Sequence, residues 1–140
     1  MGNHLIIGLG GTGGKIIREF RKTVYQQFRK ETPDGVNVEY LYVDSSDQDM
    51  GLDNDDWKIL GTSVQLGKNN QLLITEGDLA SRVENANQYP GIRGWLGDRN
   101  LWLPYLRTIQ GTKAAGGQRR RLGRFLFACN VDRFRAQLDL

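Results

Sequence analysis

Five of the seven residues from position 8 to position 14 are glycine: Gly8, Gly10, Gly11, Gly13 and Gly14, in the stretch "LIIGLGGTGGKIIREF". Apolar residues precede the cluster at positions 5–7, and an amphipathic run follows it from Lys15. Strand, tight glycine turn and helix together outline an anion site. The first N–H groups of a helix have no partner inside it, and the helix dipole places about half a positive charge there. Glycine lets a phosphate approach because no Cβ intervenes. The plain alternative is a tight strand-to-helix connection that binds nothing, for which a single glycine would suffice.

Known phosphate loops can be tested against this spacing. A P-loop requires G-x-x-x-x-G-K followed by Ser or Thr. Gly14 and Lys15 supply its end, but Leu9 stands where the first glycine belongs and Ile16 where the Mg²⁺-binding hydroxyl belongs, which excludes it. The dinucleotide fingerprint G-x-G-x-x-G fits Gly8, Gly10 and Gly13, and Asp44 ends the next apolar run as an acid able to hold a ribose. Asp44 lies further from Gly13 than the roughly 20 residues usual for that pairing. The fingerprint also leaves a second glycine cluster, "AAGGQRRRLGR" at positions 114–124, without a role.

The elements that must position these residues follow from periodicity. Residues 5–9 read as a short buried strand. Ile16, Ile17, Phe20, Val24 and Phe28 recur at helical spacing over 15–30, with Arg18, Glu19, Arg21, Lys22 and Arg29 on the other face. "TPDG" at 32–35 supplies a stop, and "VNVEYLYVD" reads as a second strand. Strand, helix, strand at these lengths is a βαβ unit, with parallel strands and a right-handed crossover. Further on, "SVQLGK" at 63–68 suggests a strand and Asp78 a helix start, with Leu79 and Val83 on one face. Trp95, Trp102 and Tyr105 form an aromatic patch of the kind found in cores and subunit interfaces. Leu122, Phe125, Leu126 and Cys129 repeat at i, i+3, i+4, i+7, and Asn130 or Asp132 is expected to break that helix and cap a short one after it.

Composition narrows the function classes. With 140 residues, 39% hydrophobic and 25% charged, the chain suits a single domain with a real core. No segment approaches the roughly 20 apolar residues of a membrane span. The start "MGNHL" carries no signal-peptide pattern, so a cytoplasmic location is expected. Cys129 is the only cysteine, ruling out an internal disulfide, and is expected as a buried reduced thiol. His4 is the only histidine, which argues against a histidine metal site or a Ser-His-Asp triad; no metal-ligand set is assigned. The net charge of +3 is unevenly spread, acidic over 47–56 and basic over 107–135, pointing to an anionic ligand or partner near the basic end. So small a net charge, without a nucleic-acid motif, argues against nucleic acid.

One resemblance accounts for both glycine clusters. "IIGLGGTGGKII", "LYVDSSDQ" and "AAGGQRRRLGRFLF", in this order, resemble the tubulin/FtsZ superfamily, and more closely the large bacterial tubulin-like proteins. The resemblance covers about the first 50 and last 30 residues. It implies an α/β fold, a Rossmann-like parallel sheet with flanking helices, as in the N-terminal half of a tubulin/FtsZ-type GTPase domain. Residues 1–140 would be one partial nucleotide-binding domain with an insertion at about 47–110. The implied ligand is GTP or GDP with Mg²⁺. Gly10, Gly11, Thr12, Gly13, Gly14 and Lys15 would wrap its phosphates, and Asp44, Ser45 and Ser46 would lie beside it. Ala115, Gly116, Gly117, Gln118 and Arg119 would face the γ-phosphate, and Gly123-Arg124 match the start of the helix that follows.

Lys15 stands where FtsZ-type loops carry Asn, and Arg119 and Arg120 replace the Asn-Pro of the third loop. The superfamily's signature loop G-G-G-T-G-[ST]-G does not follow Arg124, so no catalytic residue is assigned. The resemblance further implies self-association or membership of a larger assembly. Two other readings stay open: a dinucleotide- or adenylate-binding Rossmann domain, and a non-catalytic tubulin-like interaction module.

Overall fold

The computed structural model of the protein describes residues 2–74 and 120–139, with side chains from residue 124 in the second stretch. The chain divides into two compact units, Met1–Leu73 and Ile74–Leu140. In the first, β1 (Gly2–Leu9), α1 (Gly10–Phe28) and β2 (Val36–Asp44) follow one another directly. Two short strands, β3 (Lys58–Ile59) and β4 (Thr62–Ser63), form an antiparallel hairpin, and β5 (Gln71–Leu73) returns to the main sheet. That sheet is parallel throughout, in the order β1-β2-β5. A parallel sheet with a helix packed on it is the expected α/β, Rossmann-like architecture.

β2 has a strand on each side, and Tyr40, Leu41, Tyr42 and Val43 are all buried. The expectation for residues 5–9 needs correcting: β1 is longer and is buried on one face only. Ile6 and Gly8 turn inward, whereas Leu5, Ile7 and Leu9 are exposed, Leu9 at 64%.

The helix also differs from its periodicity. It begins at Gly10, so the glycines build its first turn and no separate turn precedes it. Its buried line is Gly14, Ile17 and Arg21, while Ile16 (63%), Phe20 and Phe28 are exposed. The reason lies in the glycines. A Cβ on Gly13 would stand 2.7 Å from the Gly8 carbonyl carbon, so backbone meets backbone there. That contact sets the roll of the helix, and the side without bulk faces the sheet. Arg21 follows on that line and is buried at 7%. Its Nε–H donates to the Val64 carbonyl at 2.6 Å, its guanidinium lies 4.8 Å from the Tyr40 ring centroid, and it reaches Glu31 at 3.6 Å. The helix stops at Arg29, in the left-handed region at φ 58, before the "TPDG" turn.

Residues 45–70 wrap the same face of the sheet. Trp57 is fully buried among Ile17, Tyr40, Tyr42, Val64 and Leu66. Its indole N–H donates to the Asp49 carbonyl, and the Gln65 amide donates to the carbonyls of Asp49 and Gly51. Backbone capture of this kind lets a strongly acidic segment lie on the fold while Asp47, Asp53, Asp55 and Asp56 stay in water. The strand expected at 63–68 shrinks to Thr62–Ser63, because Val64 and Leu66 are drawn into the core instead of a ladder.

In the second unit, α2 (Arg120–Cys129) and α3 (Val131–Leu138) meet at Asn130. Phe125 and Leu126 are fully buried and Cys129 partly so. Phe127 and Phe134 pack edge to face at 5.1 Å. Asn130 stands at the expected break, but its amide reaches back to the Leu126 carbonyl and accepts from Arg133 instead of capping α3. The helix start at Asp78 and the aromatic patch lie outside the described residues.

Arg21→Ala is expected to destabilise the protein by about 2–3 kcal/mol, through loss of a charged hydrogen bond and a cation–π contact. A loss of stability in urea unfolding smaller than about 0.3 kcal/mol would refute this role. The β3–β4 hairpin turns on Leu60 (φ 52) and Gly61 (φ 78), a pair of positive angles that suits Asn-Gly. Leu60→Asn should therefore stabilise by about 0.5–1 kcal/mol, read as a rise in melting temperature.

Candidate functional site

The register of the sheet places the two sequence motifs side by side. Leu9 pairs with Val43, so β1 and β2 end at the same level and release Gly10 and Asp44 at neighbouring points. This is the carboxyl end of a parallel sheet, where α/β folds open a ligand crevice. α1 starts there. Its N-cap, Leu9, is extended (φ −112, ψ 123) and makes no side-chain capping bond, and no acidic residue lies in the first turn. Neither the N-cap nor the first turn thus supplies a side chain that compensates the positive end of this helix.

The five glycines have different jobs. Gly8 and Gly13 are needed for the strand–helix contact, as the last glycine of the dinucleotide fingerprint would require. Gly14 lies under Tyr42: a Cβ there would come within 2.6 Å of the ring. Gly10 has φ +72 and faces open space. Gly11 also faces open space and has no positive φ, so none of the described residues demands glycine at this position. Thr12 and Lys15 are exposed beside it.

Asp44 is half-buried at the end of β2. Its Oδ2 accepts the Tyr42 phenolic O–H at 2.6 Å, and its Oδ1 accepts the Ser46 backbone N–H at 3.2 Å. Ser45 and Ser46 follow, also half-buried. Burial raises Tyr42 well above the ordinary phenol range, and the bond to Asp44 and that carboxylate's charge push it further in the same direction. Tyr42 therefore remains a proton donor across the working pH range. Sequence reasoning passed over Tyr42 as one more apolar strand residue. The signal was its spacing, since residues i and i+2 of a strand share a face.

The third loop, Ala115, Gly116, Gly117, Gln118 and Arg119, lies outside the described residues. Arg124 is exposed. Among the described residues no group of three or more His, Cys, Asp or Glu side chains is placed to hold a metal. No helix among them is long and apolar enough to cross a membrane.

A glycine-led helix and an acid-ended strand thus leave neighbouring parallel strands at one level. A family model described as tubulin-like matches residues 5–139. The chain belongs to the tubulin-like family. No curated protein and no solved structure gives a match. The tubulin-like match takes in both glycine clusters and the strand between them, the three segments on which the resemblance rests.

The division of labour among the glycines is testable without a ligand. Gly14→Ala should cost about 1–3 kcal/mol, because the Tyr42 ring must move. Gly11→Ala should leave stability unchanged or raise it by about 0.5–1 kcal/mol, as alanine usually does at an unstrained helical position. Equal losses in denaturant midpoint for the two variants would refute the assignment.

Proposed function

We propose that this tubulin-like chain holds the phosphates of a guanine nucleotide at the N-terminus of α1, as part of a cytoplasmic, self-associating protein. The observation that carries the reading is the first turn at Gly10 and Gly11, which has no side-chain cap from Leu9, beside Asp44 at the shared end of two parallel strands. Backbone N–H groups from Gly10, Gly11, Thr12, Gly13, Gly14 and Lys15 would meet the α- and β-phosphates. The Lys15 ammonium adds positive charge. Asp44, Ser45 and Ser46 would lie beside the nucleotide, and Ala115, Gly116, Gly117, Gln118 and Arg119 would face the γ-phosphate.

Mg²⁺ fits this set as a partner of the nucleotide. It is a hard cation that accepts one or two protein oxygens and takes its other ligands from phosphates and water. The Asp44 carboxylate and the hydroxyls of Ser45, Ser46 and Thr12 are oxygen donors of that kind. Mg²⁺ would neutralise the repulsion between Asp44 and the phosphates. In the tubulin-like family generally, nucleotide binding accompanies self-assembly, which supports the second half of the proposal.

The test is calorimetry with millimolar GTP·Mg²⁺, GDP, ATP and NAD⁺, with light scattering alongside. GTP and GDP should bind, ATP and NAD⁺ should bind more weakly, and scattering should rise with GTP. Gly117→Val should weaken GTP binding at least tenfold, roughly 1.4 kcal/mol. Preference for an adenine nucleotide, with Gly117→Val silent, would replace this reading with a dinucleotide-type one.

A further inference from the structure

Asp44 lies on the same face of the sheet as α1. Tyr42 and Asp44 are two apart on β2, and the Tyr42 ring lies against Gly14 of the helix. A carboxylate in that place is an obvious competitor. Acidic side chains are good helix N-caps, and α1 has no side-chain cap of its own. Left to rotate, Asp44 would be drawn to the N–H groups of the first turn and would occupy them in place of a ligand anion. It does not do so here, because both of its oxygens are engaged elsewhere, by Tyr42 at 2.6 Å and by Ser46 at 3.2 Å. The Tyr42 bond is the shorter, is charge-assisted, and comes from a fully buried ring that cannot follow the carboxylate if it turns.

We propose that Tyr42 is a positioning residue that holds the Asp44 carboxylate off the N-terminus of α1, keeping that helix end open to a phosphate. The proposal rests on the reading of the α1 N-terminus as the phosphate site. One side chain thus serves both motifs: its ring supports Gly14, and its hydroxyl fixes Asp44. Phenylalanine would support Gly14 equally well, so only the second task needs tyrosine.

The experiment uses GDP as the probe, in calorimetry on wild-type protein and the variants Tyr42→Phe, Asp44→Ala and Tyr42→Phe/Asp44→Ala. Tyr42→Phe should weaken GDP binding about fivefold, the strength of a side-chain cap competing for the same groups. The double variant should recover to within about twofold of Asp44→Ala, because the competitor is gone. A tyrosine with a merely structural role would not be rescued by a second change at position 44. Wild-type affinity in Tyr42→Phe, or a double variant weaker than Asp44→Ala by as much as Tyr42→Phe is weaker than wild type, would overturn the proposal while leaving the phosphate site intact. Wild-type protein that binds no GDP would remove the site reading and this one with it. A measurement on wild-type protein guards against a variant that does not fold. In wild-type protein the Tyr42 hydroxyl proton, hydrogen-bonded to Asp44, should exchange slowly with solvent and give an observable NMR signal. Rapid exchange with solvent would overturn the clamp.

Discussion

The first unit depends on the contact between the backbones of Gly8 and Gly13. A Cβ on either would stand under 3 Å from the other's backbone, so helix and strand touch with nothing between them. An approach this close leaves α1 little freedom to roll or slide. It puts Gly14 against Tyr42, Ile17 into the core and Arg21 over Tyr40. It also fixes the start of α1 at the carboxyl end of the sheet, level with the end of β2.

Arg21 shows how far this constraint reaches. A guanidinium would not ordinarily be placed on the buried line of a helix. Here it is accommodated because each part of it has a partner: a carbonyl for Nε, an aromatic face for the plane, and Glu31 at the rim. The carbonyl belongs to Val64, at the end of the β3–β4 hairpin, so this arginine ties α1 to the segment that covers the sheet. More apolar residues, Ile16 and Phe20, are left outside as a result.

The same geometry separates the two demands on a glycine-rich segment. Gly8, Gly13 and Gly14 answer to packing, and Gly10 to a left-handed backbone angle, while Gly11 meets neither demand among the described residues. Phosphate binding and helix–strand packing both favour glycine, so the cluster alone does not reveal which residue serves which purpose. Membership of the tubulin-like family gives the cluster its context, and the sheet register gives it a neighbour in Asp44.

Local chemistry was legible in the sequence. Residues 36–44 are rich in β-branched and aromatic side chains and form β2 at those bounds. The amphipathic helix after the glycines, the α2 stripe of Phe125, Leu126 and Cys129, and the break at Asn130 were equally plain, because neighbours in sequence decide them. The order of three motifs was enough to place the chain among tubulin-like proteins. Periodicity does not encode how a helix rolls against its sheet, which residue closes a carboxylate's hydrogen bonds, or which face of an edge strand stays in water. Those were settled only by the tertiary structure, in the meeting of Gly8 with Gly13, the inward turn of Arg21 and the bond from Tyr42 to Asp44. The physical reason is that van der Waals exclusion and hydrogen-bond geometry act between atoms that only the folded chain brings together.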